Sequence, residues 1–242
     1  MDRRNAIVAS DSRWSIELPD CLLFVDDTGF DKIIAREGAV MICAGSAQFI
    51  ELWKAWFLEP TPQIPPTETK DDAGNVWQAI CVSIIGRPGF DQLFSAGSYE
   101  NYEGAAEFCG TGALYAKDCY SVNGCATTAV RSASCHDPMT GGAVKFAQVN
   151  EPFDNNLNEA LVPLQEVMNQ MNERGMAMDK SSGKVVSIAE KFSDNTGAAA
   201  ALCASKLSAP SGQALRAWTD REKQDVLKVM AQIVRSEGSA KG

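Results

Sequence analysis

Residues 39–58 have the sequence AVMICAGSAQFIELWKAWFL, in which a buried strand is followed directly by an amphipathic helix. The first six residues are all apolar, and a short apolar segment of this kind is typical of a fully buried strand. Ser46 is a favoured N-cap residue, and Pro60 cannot continue a helix. The apolar residues between them recur at intervals of three and four, which places them on one helix face: Phe49, Leu52, Trp53, Trp56 and Phe57.

Short apolar segments separated by turn residues lie on both sides of this unit. They predict strands near residues 4–10, 21–25, 30–34, 76–85, 90–94 and 143–149. Small and apolar residues from 113 to 133 predict a helix, with a break at Asn123-Gly124.

After residue 150 the pattern becomes helical. Apolar residues step by four and three: Leu157, Leu161, Leu164, Met168 and Met171. Pro163 implies either a kink or a later helix start, and Gly175 is a stop signal. The sequence from Thr219 to Glu222 is a capping box for a final helix.

The order of these elements predicts an α+β fold. We expect an αββα-type sandwich of two mainly antiparallel sheets with outer helices, plus a helical C-terminal extension. The corresponding domain prediction is one domain over residues 1–150 and a helical extension over residues 151–242 that packs on it.

Composition excludes several classes of partner. The net charge of −9 disfavours nucleic acid and anionic membrane surfaces, because both are negatively charged. No segment approaches the ~20 apolar residues of a membrane span, and the first residues do not form a secretory signal. We therefore expect a cytoplasmic protein that contacts neither membrane nor nucleic acid.

The eight cysteines are interpreted as buried, reduced thiols, because several lie among apolar residues. A zinc site is the alternative, but the sequence has no Cys-x-x-Cys pair and one histidine. We expect no metal and no cofactor.

Four segments together resemble the proteasome β-subunits, which belong to the N-terminal-nucleophile (Ntn) hydrolase fold group. Residues 7–13 (IVASDSR) are similar to a strand that ends in Ala-Asp-Ser-Arg. Residues 31–33 (DKI) and 41–45 (MICAG) are similar to the lysine strand and its Ala-Gly turn. Residues 109–116 (CGTGALYA) are similar to a Gly-Ser-Gly turn before a Tyr-Ala helix, and residues 136–144 (HDPMTGGAV) to an Arg-Asp-x-x-Ser-Gly-Gly segment.

The resemblance implies a set of site residues. In the family an N-terminal threonine is the nucleophile and its own amine is the base. Lys32 matches the lysine that lowers the pKa of the hydroxyl, and Asp11 matches the carboxylate that pairs with this lysine. Gly45 matches a backbone oxyanion donor. A hydroxyl–carboxylate cluster that orients the terminal amine is matched by three residues: Thr111, Asp137 and Thr140.

The sequence departs from the family at its start. Only ten residues precede Asp11, whereas a hairpin of two strands needs about 12–14 residues. We therefore expect the nucleophile strand to be absent from this chain, and neither Met1 nor Asp2 supplies a hydroxyl or thiol. The strand next to the gap would then be covered by a partner's strand or by residues after 150.

Three functions follow from this interpretation. The first is a non-peptidase module that binds protein or regulates it, through a protein partner or self-association. The second is a threonine peptidase or amidohydrolase whose first strand is missing from this sequence. The third is a ring-forming structural subunit. Asp11 and Lys32 also fit a plain ion pair between strands, and Asp137 and Thr140 fit a simple turn.

Overall fold

The computed structural model of the protein describes residues 1–97, 100–193 and 204–239. Over these residues it forms the predicted α+β fold, with strands that pair antiparallel. The helices are α1 (Ala47–Leu58), α2 (Ala113–Asn123), α3 (Ala126–Ala133), α4 (Leu164–Arg174), α5 (Ile188–Lys191) and α6 (Asp220–Ser239). The strands are β1 (Ile7–Ser10), β2 (Trp14–Glu17), β3 (Cys21–Val25), β4 (Ile33–Arg36), β5 (Ala39–Ser46), β6 (Glu68–Lys70), β7 (Val76–Gly86), β8 (Gln92–Ala96), β9 (Glu100–Tyr102), β10 (Ala106–Phe108), β11 (Lys145–Gln148), β12 (Asp154–Asn155), β13 (Met176–Asp179), β14 (Val185–Ser187) and β15 (Ser208–Ala209).

The strands form a large and a small sheet. The large sheet has the order β14-β13-β3-β2-β15-β5-β7-β6, with β4 paired to β5 and β8 paired to β7. The small sheet contains β1-β11-β12, and the β9–β10 hairpin joins it through bridges made by Asp2. Asp2 therefore holds β1 and the β9–β10 hairpin on either side of the candidate site.

Three buried apolar clusters define the layers. The first lies between the large sheet and helices α1, α4 and α6, with Trp53 at its centre. The second lies between the sheets and brings Val8 of the small sheet together with Val40 of the large one. The third lies between the β9–β10 hairpin and helices α2 and α3, where Phe108 contacts Tyr120. Helix, sheet, sheet and helix therefore follow in the predicted αββα order.

The strand–helix unit predicted from residues 39–58 is present as β5 and α1. β5 pairs with β4 on one edge and β7 on the other, which explains its continuous apolar sequence. Ser46 is the N-cap residue of α1, as predicted, but its side chain makes no capping hydrogen bond. α1 ends at Leu58, just before Pro60.

The helices predicted after residue 150 are present with one adjustment. α4 begins at Leu164, directly after Pro163, so the later start is correct and Leu157 and Leu161 lie outside the helix. α6 begins with the predicted capping box: Thr219 Oγ1 accepts from the Glu222 N–H at 3.2 Å, and Glu222 Oε2 accepts from the Thr219 N–H at 2.7 Å.

The same region also contains strands that the sequence interpretation did not include. β13 pairs with β3, and β15 lies between β2 and β5 in the large sheet. β13 and β15 therefore add to the large sheet, whereas β12 pairs with β11 of the small sheet. The boundary at residue 150 stays a prediction.

Candidate functional site

Residues 1–3 connect β1 with β10 through backbone hydrogen bonds and two isolated bridges made by Asp2. Asp2 exchanges backbone hydrogen bonds with Ile7 of β1, at 2.8 and 3.0 Å. On the other side the Glu107 N–H donates to the Met1 carbonyl at 2.8 Å, and the Arg3 N–H donates to Ala105. Among the described residues, Met1 to Arg3 are therefore the connection between β1 and β10.

The turn at residues 3–6 depends on the buried carboxylate of Asp2. It accepts hydrogen bonds from the backbone N–H groups of Arg4 and Asn5, and from the Tyr120 hydroxyl at 2.7 Å. Burial, together with this hydrogen bond to Asp2, raises the pKa of Tyr120. The turn is thereby tied to helix α2.

Lys32 and Asp11 form an ion pair at the end of β1. Lys32 Nζ donates to Asp11 Oδ1 at 2.7 Å, and both side chains are largely buried. The other oxygen of Asp11 accepts from the backbone N–H groups of Arg13 and Gly141. Asp11 therefore holds the lysine and also fixes the Gly141 segment beside it.

The predicted hydroxyl–carboxylate cluster is present. Asp137 Oδ2 accepts from the hydroxyl of Thr111 at 2.5 Å and from that of Thr140 at 2.6 Å. A Cβ on Gly112 would lie 2.6 Å from the Thr140 hydroxyl, so the second glycine of the Gly-Thr-Gly turn is required by close packing. Gly141 N–H links this cluster to Asp11.

The Ser-Arg pair after Asp11 clamps two loops together. The Arg13 guanidinium binds both carboxylate oxygens of Asp26 at 2.8 Å, and it donates to the Pro138 carbonyl. The Ser12 hydroxyl donates to Asp27, which also accepts from the Ala143 N–H. Sequence interpretation missed both aspartates, because only the fold brings residues 26 and 27 to this loop.

Close packing explains why the loop has glycine at residues 141 and 142. A Cβ on Gly141 would lie 2.4 Å from the Arg13 guanidinium carbon, and one on Gly142 would lie 2.2 Å from the Ser12 hydroxyl. Gly142 also has a φ of +70°, which favours glycine. The loop can therefore approach β1 only without side chains.

These groups surround one cavity of about 110 Å³. Its two side walls are the continuations of β1, at Ala9 to Asp11, and of β10, at Phe108 to Thr111. Its floor is formed by β5 and β7 of the large sheet, and its roof by helices α2 and α3. One water molecule needs a cavity of ~10–15 Å³, so this cavity has room for several small groups.

The structure therefore brings most of the predicted site residues together. Asp11, Lys32, Thr111 and Thr140 line the cavity, and Asp137 holds the two threonines from behind. Gly45 is not part of the lining, where Ala44 stands instead. Gly45 has a φ of +116°, and a Cβ at this residue would lie 2.2 Å from the Ala79 carbonyl oxygen.

Thiols form part of the cavity wall, which the sequence interpretation did not predict. Cys43, Cys81 and Cys109 all line it. A hydrogen bond with Cys81, together with burial, raises the pKa of Cys109, and burial raises the pKa of Cys43 to about 12. No disulfide joins any two of the described cysteines. Cys203 lies outside the described residues.

No family model matches the chain, and no curated protein matches it significantly. Within the described ranges, no three His, Cys, Asp or Glu side chains are grouped to hold a metal ion. No helix in those ranges combines the length and apolarity needed to span a bilayer.

Proposed function

We propose that this protein is a proteasome β-subunit-like member of the Ntn-hydrolase fold group that binds other proteins through the cavity at Asp11 and Lys32 without cleaving them. One observation carries the proposal: the Lys32–Asp11 pair and the Thr111–Asp137–Thr140 cluster lie around a single cavity between β1 and β10.

The chemistry of a threonine peptidase explains what these groups would do beside a nucleophile. A lysine next to a hydroxyl lowers its pKa by adding positive charge, and a carboxylate partner keeps the lysine charged. The Met1 side chain lines the cavity, and its thioether is not an acyl acceptor. The cavity then offers donors and shape for binding.

The test uses the purified 242-residue protein with fluorogenic peptides and threonine-directed epoxyketones. We expect no hydrolysis and no covalent adduct in the intact mass. Stoichiometric labelling would replace the binding proposal with a catalytic one.

A peptidase is the second candidate, and the same pair and cluster favour it. A form of the protein that presents a hydroxyl or thiol beside Lys32 would have the supporting groups in place. Intact mass and amino-terminal sequencing of the protein from its natural host distinguish the two candidates. A processed terminal threonine, serine or cysteine would support the peptidase.

A further inference from the structure

A second cavity, of about 240 Å³, shares no lining residue with the cavity at Asp11. Its walls are formed by β4, the end of α1 and the segment from Phe153 to Leu161. It is more than twice as large as the first cavity, so a small organic molecule fits inside. The function proposed above makes no use of this space.

Lys54 lines this second cavity and carries an ammonium group without a counter-ion. The residue is 3% exposed, and its Nζ donates to the Asp31 carbonyl at 2.9 Å and lies 4.3 Å from the centre of the Phe30 ring. Among the described residues, Lys54 forms no ion pair and no other hydrogen bond through Nζ. An ammonium group has three donors, so two of them are left without an acceptor in the described ranges.

The carboxylate of Asp31 also lines the cavity, but other groups already bind it. It accepts from the backbone N–H and the side-chain amide of Asn158, at 2.7 and 3.0 Å, and it pairs with Lys145 at 3.6 Å. The other acidic residue of the wall, Glu159, is exposed, so solvent screens its charge. Neither acid therefore supplies the counter-ion that Lys54 lacks.

An unpaired charge is costly to bury. Burial lowers the pKa of Lys54 to about 8, although Asp31, Cys43 and Glu51 act in the opposite direction. Most of the Lys54 side chains are still charged at pH 7, because this pKa lies above that pH. A ligand that brings a negative charge to Nζ would offset the cost of burial.

The rest of the wall is mainly apolar and includes Ile33, Ile34, Leu58, Phe153, Leu157 and Leu161. Leu58 lies one helical turn after Lys54 on α1 and is 38% exposed, and Leu161 is 44% exposed. These two side chains therefore mark the mouth of the cavity, and Lys54 lies deeper. A buried charge behind an apolar mouth suits a ligand with a charged head and an apolar tail.

We propose that this cavity binds a small monocarboxylate with an apolar body, such as a short-chain fatty acid. The carboxylate accepts hydrogen bonds from the two unused donors of Lys54 and neutralises its charge. Hydrogen bonds between charged groups are roughly twice as strong as neutral ones. The alkyl chain extends past Leu58 and Leu161 and covers part of their exposed surface.

Titration calorimetry at pH 7 tests the proposal on the unmodified 242-residue protein with two probes, hexanoate and hexanamide. The two molecules have nearly the same shape, but hexanamide has no charge. We expect one hexanoate to bind per chain, and hexanamide to bind about tenfold or more weakly. Equal affinities, or no binding of hexanoate at millimolar concentration, would overturn the proposal.

Lys54→Met tests the charged contact, because methionine keeps an unbranched apolar side chain. We expect this variant to lose about tenfold or more in affinity for hexanoate and to bind hexanamide as before. Lys184→Met, at an exposed lysine away from the cavity, should leave both affinities unchanged. Hexanoate affinity that survives in Lys54→Met would contradict the role of this lysine.

A pair of variants at Ala160 tests the location even if Lys54→Met fails to fold. Ala160 lines the cavity and is exposed, so the fold tolerates a larger side chain there. Ala160→Phe narrows the cavity and should weaken binding of both probes, whereas Ala160→Ser should leave binding intact. Unchanged hexanoate affinity in Ala160→Phe would place the ligand elsewhere and overturn the proposal.

Discussion

Lys32 Nζ lies 2.7 Å from Asp11 Oδ1 in the cavity wall, and Asp11 also accepts the Gly141 N–H. This one carboxylate therefore connects the lysine with the loop that carries Asp137 and Thr140, to which Thr111 is hydrogen-bonded. Separate segments of the sequence thereby form one site.

Asp11→Asn removes the charge that compensates a buried ammonium group. Because Lys32 is buried, we expect a loss of about 3 kcal/mol in the free energy of unfolding. The double variant Asp11→Asn/Lys32→Met should recover much of that loss, because no charge remains unpaired. Urea unfolding of all four proteins in this cycle measures the coupling, and additive effects would show that the pair is weak.

Thr140→Val removes a hydroxyl that Asp137 accepts, whereas Thr140→Ser keeps it. We expect the valine variant to lose about 1–3 kcal/mol, because the buried carboxylate of Asp137 loses a partner. The serine variant should be much closer to the unmodified protein. Equal losses for both variants would mean that the methyl group of Thr140, and not its hydroxyl, stabilises this loop.

Gly142→Ala and Gly183→Ala form a matched pair. Their φ values are +70° and +69°, but a Cβ at residue 183 meets nothing within 4 Å. We expect Gly183→Ala to cost about 1–2 kcal/mol from the left-handed backbone alone. Gly142→Ala should cost clearly more, because its Cβ would also meet Ser12 at 2.2 Å. Equal thermal stability of the two variants would contradict the tight packing of this loop.

Lys54 makes stability depend on pH. It is buried on α1 and donates to the Asp31 carbonyl at 2.9 Å, and burial lowers its pKa from 10.5 to about 8. Between these two pH values the unfolded state holds the additional proton, so the stability of the fold rises with pH. Lys54→Met removes this contribution, so its stability relative to the unmodified protein should fall by about 2–3 kcal/mol from pH 7 to pH 10.

Comparing the two proteins at each pH cancels the titration of the other groups. Urea unfolding at several pH values provides the measurement. A constant difference between the variant and the unmodified protein would show that Lys54 titrates normally.

Local signals explain which elements could be predicted. The change from a continuous apolar segment to a spacing of three and four defined β5 and α1, and reciprocal capping by Thr219 and Glu222 defined the start of α6. β13 and β15 carry no such signal. They are short, and they exist because distant strands β3 and β5 offer them hydrogen bonds.

The site shows the same division. Asp11, Lys32, Thr111, Asp137 and Thr140 were predicted because their segments resemble those of proteasome β-subunits. Ser10 and Cys109 became candidates only when the fold placed them in the cavity wall. Asp26 and Asp27 could not be predicted either. Their spacing from Ser12 and Arg13 in the sequence gives no sign that the fold brings these side chains into contact.

Intact-mass analysis of the 242-residue protein, incubated for hours with a threonine-directed epoxyketone, tests the central claim most directly. We predict an unchanged protein mass, because the cavity binds without cleaving. A stoichiometric covalent adduct would contradict binding without cleavage.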